Sequence, residues 1–151
     1  MVAIPSSFKQ FVDCQFDEAT QLRLFTAIKN HKNMVFVGIG GSGKSTLMKL
    51  LCNLETSEEK QENSTIILYD PSKSKEGLVN LLEKSSSKIP TKRLIVHSTL
   101  VNINLSIEET HGFEVFYFSN PITLPDIELS HKLSSEKGQL GLWISNSVTT
   151  Y

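Results

Sequence analysis

Gly38-Ile39-Gly40-Gly41-Ser42-Gly43-Lys44-Ser45-Thr46 is the stretch on which the reading of this chain turns. It fits G-x-x-x-x-G-K-[ST], the phosphate-binding loop, at every fixed position. An apolar run, Met34-Val35-Phe36-Val37, precedes it, and a helical pattern, Thr46-Leu47-Met48-Lys49-Leu50-Leu51, follows. Strand, glycine loop and helix form the context in which the motif works. Gly38, Gly40, Gly41 and Gly43 can take positive φ and allow close backbone approach. The loop N–H groups then converge on an anion at the positive end of the following helix. In this reading Lys44 reaches the β- and γ-phosphates and the Ser45 hydroxyl ligates Mg²⁺, an ion that takes few protein ligands. The alternative is a glycine-rich turn with a stray lysine. At ordinary residue usage the fixed positions coincide by chance in roughly one chain of this length in a hundred, and the flanking context makes coincidence rarer still.

Working outward, the 151 residues predict one domain, 1–151, with one core and an irregular lead-in over residues 1–15. Asp17 is placed to cap a helix whose apolar positions include Leu22, Phe25 and Ile28. Beyond the loop, Leu47, Leu50, Leu51 and Leu54 make one apolar stripe. Further strands are predicted over Ser64–Tyr69, Leu94–Val96 and Phe113–Phe118, with a helix near Lys75–Lys84. Val101–Thr110 reads equally as helix or loop. A helix is predicted from Pro125 to Gly138, and a last strand over Leu140–Ser145. Alternating strands and helices predict an α/β fold of the P-loop NTPase class, with a mostly parallel sheet of about five strands flanked by helices.

Composition excludes several classes. The formal net charge is −1, so no global field recruits nucleic acid or anionic lipid. Cys14 and Cys52 lie far apart without a CxxC and read as reduced thiols of a cytoplasmic protein. The N-terminus has neither the basic segment nor the apolar stretch of a signal peptide, and no apolar run approaches the roughly 20 residues of a membrane span. Lys84, Lys88, Lys92 and Arg93 form a weak basic run without interleaved aromatics, a solvated loop rather than a nucleic-acid patch. His31, His97, His111 and His131 lack metal-ligand spacing.

Nucleotide hydrolysis needs more than a phosphate cradle. It needs an acid behind Mg²⁺, a group that positions water and usually a cation on the transferring phosphoryl. Asp70, after Ile66-Ile67-Leu68-Tyr69, is the candidate acid; a turn-forming Asp before Pro71 is the bland alternative. Lys44 and Asp70 are thus the candidate catalytic pair, and Ser45 and Asp70 the candidate metal ligands. The strand Leu94–Val96 carries no acid at its end; His97 and Ser98 stand there instead. The two arginines, Arg23 and Arg93, read as a solvated helix face and a strand-flanking charge rather than as arginine fingers.

From Phe16 onward the chain resembles the type II/type IV secretion ATPase family, the RecA-like hexameric motors of conjugation, secretion and pilus machines. The resemblance rests on residues 17–25 with 32–37 as lead-in helix and first strand. It also rests on Ile66–Pro71 as the acidic box, with Tyr69 in place of a glutamate, on Arg93–Val96 as the Walker B strand, continued by His97-Ser98 rather than Gly-Glu, and on Thr110-His111-Gly112. It implies a RecA-like fold and a short, degenerate member that binds ATP with Mg²⁺ and turns it over slowly or not at all. It further implies a homo-oligomer or secretion machinery as partner, at the inner face of the membrane. Two other readings stay open. A non-catalytic nucleotide-binding regulatory module suits the absent Walker B acid. A small-molecule kinase shares the loop but wants an arginine-rich lid. Leu133–Gln139 faintly resembles the ABC-type signature, without the acidic strand that should follow.

Overall fold

The computed structural model describes residues 4–40, 42–53, 65–86, 93–119 and 126–147. Within them the order is α1 (Ser6–Gln15), α2 (Glu18–Lys29), β1 (Met34–Gly38), α3 (Lys44–Asn53), β2 (Thr65–Tyr69), α4 (Lys75–Ser86), β3 (Arg93–Ser98), β4 (Glu114–Phe118), α5 (Asp126–Ser135) and α6 (Lys137–Ser147). The four strands pair in parallel in the order β2-β3-β1-β4. β1 is therefore central, with Val35 opposite Val96 on one side and Val115 on the other.

Strand periodicity divides the core into two layers. Met34, Phe36, Ile95, Phe116 and Phe118 face one side, where they pack with residues of α1, α2, α3, α5 and α6. Val35, Val37, Leu94, Val96 and Val115 face the other, against Leu78 and Leu82 of α4 and Leu100, Ile103 and Leu105 of the β3–β4 connection. All five residues of β1 are buried, as a strand covered on both faces requires. Phe36 and Phe118 meet at 5.1 Å between ring centroids, and Phe16 packs edge-on to Phe118 at the same distance. Asn33 ties the strand starts together: its side-chain oxygen accepts from Leu94 N at 2.8 Å and its carbonyl from Glu114 N at 3.0 Å.

Several expectations match. Asp17 caps α2, its carboxylate accepting from Thr20 N at 2.8 Å. The strands and the helix near 75–84 lie where predicted, to within a few residues. The region 101–110 is loop and turn. Leu54, Ser64 and Pro125 lie outside the described residues.

Two expectations are corrected. Residues 1–15 are not an irregular lead-in, because Ser6–Gln15 forms α1. Phe8, Phe11 and Val12 stand at helical spacing and are all buried. The cap comes from far away: the Glu136 carboxylate accepts from Ser7 N and Phe8 N, each at 3.1 Å, satisfying orphan donors at the positive helix end. Second, residues 140–145 are not a strand but the middle of α6, so the sheet has four strands among the described residues rather than about five. A short apolar run reads the same as strand or buried helix. Here Leu140 and Trp143 turn onto the helical layer, where Trp143 meets Phe25 edge-on at 4.7 Å. No helix among the described residues is long and apolar enough to cross a membrane.

The Glu136 cap joins segments far apart in the chain, its partners standing 129 and 128 positions away. Glu136→Ala should lower the unfolding free energy by about 1–2 kcal/mol, the usual worth of a helix cap. Urea denaturation monitored by Trp143 fluorescence checks this. An unchanged midpoint would mean that α1 does not depend on Glu136.

Candidate functional site

β1 is the strand that carries the loop, and its exit is shaped by one close approach. Gly38 has φ +149°, and a Cβ there would lie 1.9 Å from the Phe118 carbonyl oxygen. A side chain cannot occupy that position without separating β1 from β4. Gly43 has φ +89°, the left-handed region that glycine tolerates, just before α3. Gly40 has neither a positive φ nor a close neighbour, so its side chain is not excluded by space. Gly41 lies outside the described residues.

The loop is closed by polar contacts of its own. Ser42 Oγ donates to the Ile39 carbonyl at 2.8 Å, and Gln15 Nε2, at the end of α1, donates to the Ser42 carbonyl at 3.1 Å. Lys44 is 3% exposed, and its ammonium donates to the carbonyls of Gly38, at 2.7 Å, and Ile39 and lies 3.3 Å from Ser42 Oγ. Burial lowers its pKa below the ordinary 10.5. The first helical bond of α3 runs from Leu47 N to the Gly43 carbonyl at 2.9 Å. The N–H groups of Lys44, Ser45 and Thr46 therefore have no acceptor within the helix.

The residues that carry these donors line a cavity of about 140 Å³, together with Gly40, Ser42, Gly43, His97 and Thr99. It lies where the connections of β1 and β3 leave for opposite faces of the sheet, the position at which open α/β sheets hold ligands. At about 30 Å³ per water it has room for roughly five waters, the scale of one or two phosphoryl groups. A second cleft of about 380 Å³, which shares no lining residue with the first, is lined by Val37, by Gly38 and Ile39 of the same loop, and by Leu100–Asn104 and Tyr117–Ser119.

Not every candidate residue comes to this cavity. Asp70 follows β2, the edge strand, and β3 separates it from β1. Its Oδ1 accepts from Ser72 N at 3.0 Å and Ser72 Oγ at 2.7 Å, and its Oδ2 from Ser98 Oγ at 3.3 Å. That is the turn-forming role, and Asp70 does not line the cavity. Among the described residues the lining holds hydroxyls, Lys44 and His97 and no carboxylate, whereas Mg²⁺ is held through carboxylates together with substrate phosphates. The described residues thus do not fit an ion held by Ser45 and Asp70 together.

The other charged candidates lie elsewhere. Arg93 is 2% exposed at the start of β3, where it donates to Thr65 Oγ1 at 3.0 Å. Arg23 pairs with Glu114 at 2.9 Å and lies over the Phe116 ring. Both occupy the edge of the sheet opposite to the loop. His31 and His111 also precede strand starts, each with a positive φ in its turn.

His97 is the histidine that lines the cavity. It is half-buried near the end of β3, and its ring meets Tyr69 edge-on at 5.3 Å. Burial, with the Lys44 charge as a smaller contribution, holds the imidazole below its ordinary 6.5. Gln15 is the participant that sequence reasoning missed. Its signal was the Phe8–Phe11–Val12 spacing, which announces a helix ending beside the loop.

No protein-family model and no curated protein sequence matches this chain.

The direction of the His97 shift can be tested by NMR titration. In Lys44→Met the imidazole pKa should rise, yet stay below 6.5, since burial remains. The lowered value also fixes a sign. As pH falls below 6.5 the unfolded chain takes the proton before the folded one, so stability declines down to the folded pKa. His97→Gln should remove that part of the slope between about pH 7.5 and pH 5.5 in urea denaturation.

Proposed function

We propose that this chain is a nucleotide-binding domain of the P-loop NTPase class that binds ATP through Gly38–Thr46 and hydrolyses it slowly or not at all. The observation that carries the reading is the cavity at the start of α3, lined by Lys44, Ser45 and Thr46, whose N–H groups have no acceptor within the helix. In this reading the phosphates take this cavity; a second cleft, lined by Gly38 and Ile39 of the same loop, has a volume in the range of small-molecule sites. Lys44 exchanges its loop carbonyls for phosphate oxygens.

The regulatory reading, in which the bound state recruits a partner, is favoured over a motor by what stands opposite the loop. His97 and Thr99 form that wall, and Asp70 is tied into a turn. The relation to secretion motors, with the oligomer, machinery and membrane-associated location it implies, rests on the sequence resemblance alone. The kinase reading draws no support from Arg23 and Arg93, because neither is near the loop.

Titration calorimetry of wild type and Lys44→Ala with ATP, in the presence and absence of Mg²⁺, tests the binding. Wild type should bind, and the variant should bind at least about tenfold more weakly, the worth of one charge-assisted hydrogen-bond set. Equal affinities would remove the nucleotide reading. Phosphate release should stay at background, well under the roughly 1 s⁻¹ of an ordinary enzyme. Lys44-dependent release near that rate would restore the motor, and acceptor-dependent phosphorylation would point to a kinase.

A further inference from the structure

We infer that this site takes the polyphosphate of its nucleotide without a divalent cation, with His97 and Lys44 acting where a metal and its acid would otherwise act. The inference rests on the nucleotide-binding reading above and concerns the form in which the ligand binds.

The chemistry of the cavity wall carries it. Among the described residues the lining offers one permanent cation, Lys44, one imidazole, His97, and the hydroxyls of Ser42, Ser45, Thr46 and Thr99. Ser42 Oγ already donates to the Ile39 carbonyl. No carboxylate is present to balance a metal charge. Asp70 has Ser72 and Ser98 on its two oxygens and is separated from β1 by the whole width of β3. At strand spacing that is a displacement of about 9–10 Å from the β1 line.

A magnesium ion arriving on ATP is octahedral and already satisfied by phosphate oxygens and water. Here it gains at most hydroxyl ligands from the wall. It also withdraws negative charge from the phosphates on which Lys44 and the α3 N-terminus act. Metal therefore adds little attraction and cancels some. Without metal, Ser45 and Thr46 are free to donate to phosphate oxygens. The imidazole presents a donor from the β3 side, opposite the loop, so the phosphate is held from both walls. Tyr69, edge-on to the imidazole, and the paired backbone of β3 hold that ring in place.

Wild-type protein titrated with ATP in excess EDTA, and again with excess Mg²⁺, tests this directly. The expected result is an affinity in EDTA equal to or tighter than that with Mg²⁺. His97→Ala, its folding checked by circular dichroism, should weaken binding in EDTA by at least about tenfold, the loss of one hydrogen bond to a charged acceptor. Binding that tightens more than about threefold when Mg²⁺ is added would overturn the inference and leave nucleotide binding standing. An unchanged EDTA affinity in His97→Ala would overturn the part assigned to His97. Absence of ATP binding under both conditions would overturn the nucleotide reading itself, and the inference with it.

Discussion

The Lys44 ammonium is the group around which the loop is organised. It is buried, it is charged, and its hydrogen-bond partners are two carbonyls of the loop that carries it and the Ser42 hydroxyl. A buried cation without acceptors would cost several kcal/mol. The carbonyls of Gly38 and Ile39 offset this cost, and in doing so the lysine fixes the path of the chain between β1 and α3. In the proposed nucleotide-binding reading, an arriving phosphate would compete with those carbonyls, and its advantage would be a full negative charge against two dipoles. The loop would then exchange an internal set of hydrogen bonds for an external one.

That exchange requires a frame that does not move when the lysine does. Gln15 supplies part of it by binding the Ser42 carbonyl from the end of α1, and α1 is in turn capped by Glu136 at the α5–α6 junction. Phe16 extends the same line by packing on Phe116 and Phe118 of β4, the strand whose last carbonyl excludes a side chain at Gly38. The segments before and after the loop are therefore coupled through one aromatic layer. Glu136 and the loop are thus joined through α1, capped by Glu136 at its start and bonded to the Ser42 carbonyl by Gln15 at its end.

The central fold was legible because local signals and tertiary demands agree there. Met34–Val37 is apolar throughout and becomes the doubly covered strand; Asp17 stands before a helix and caps it. The two errors arose where local signals are silent. Residues 140–145 are an apolar run whose state is set by whether Leu140 and Trp143 meet a strand partner or the helical layer, which only the assembled core decides. The first helix was obscured because its cap comes from Glu136, far along the chain, so no capping residue marks its start. At the site, the loop motif was legible because its residues are consecutive, although Gly40 has no positive φ and Gly41 lies outside the described residues. The opposite wall was not. Asp70 and His97 end neighbouring strands, and whether either side chain enters the cavity depends on strand order and on Ser72 and Ser98, which draw Asp70 into a turn.

Strand order also explains why His97 is more than a substituted acid. β3 lies directly beside β1, so a side chain near its end reaches the cavity without any help from β2. A carboxylate at that place would face the Lys44 ammonium and hold its charge. An imidazole does the reverse: burial, and to a smaller extent the Lys44 charge, disfavours its protonated form. In the proposed nucleotide-binding reading, phosphate would offset the Lys44 charge and bring negative charge beside the ring, so that anion binding and proton uptake would be linked through the same pair of side chains.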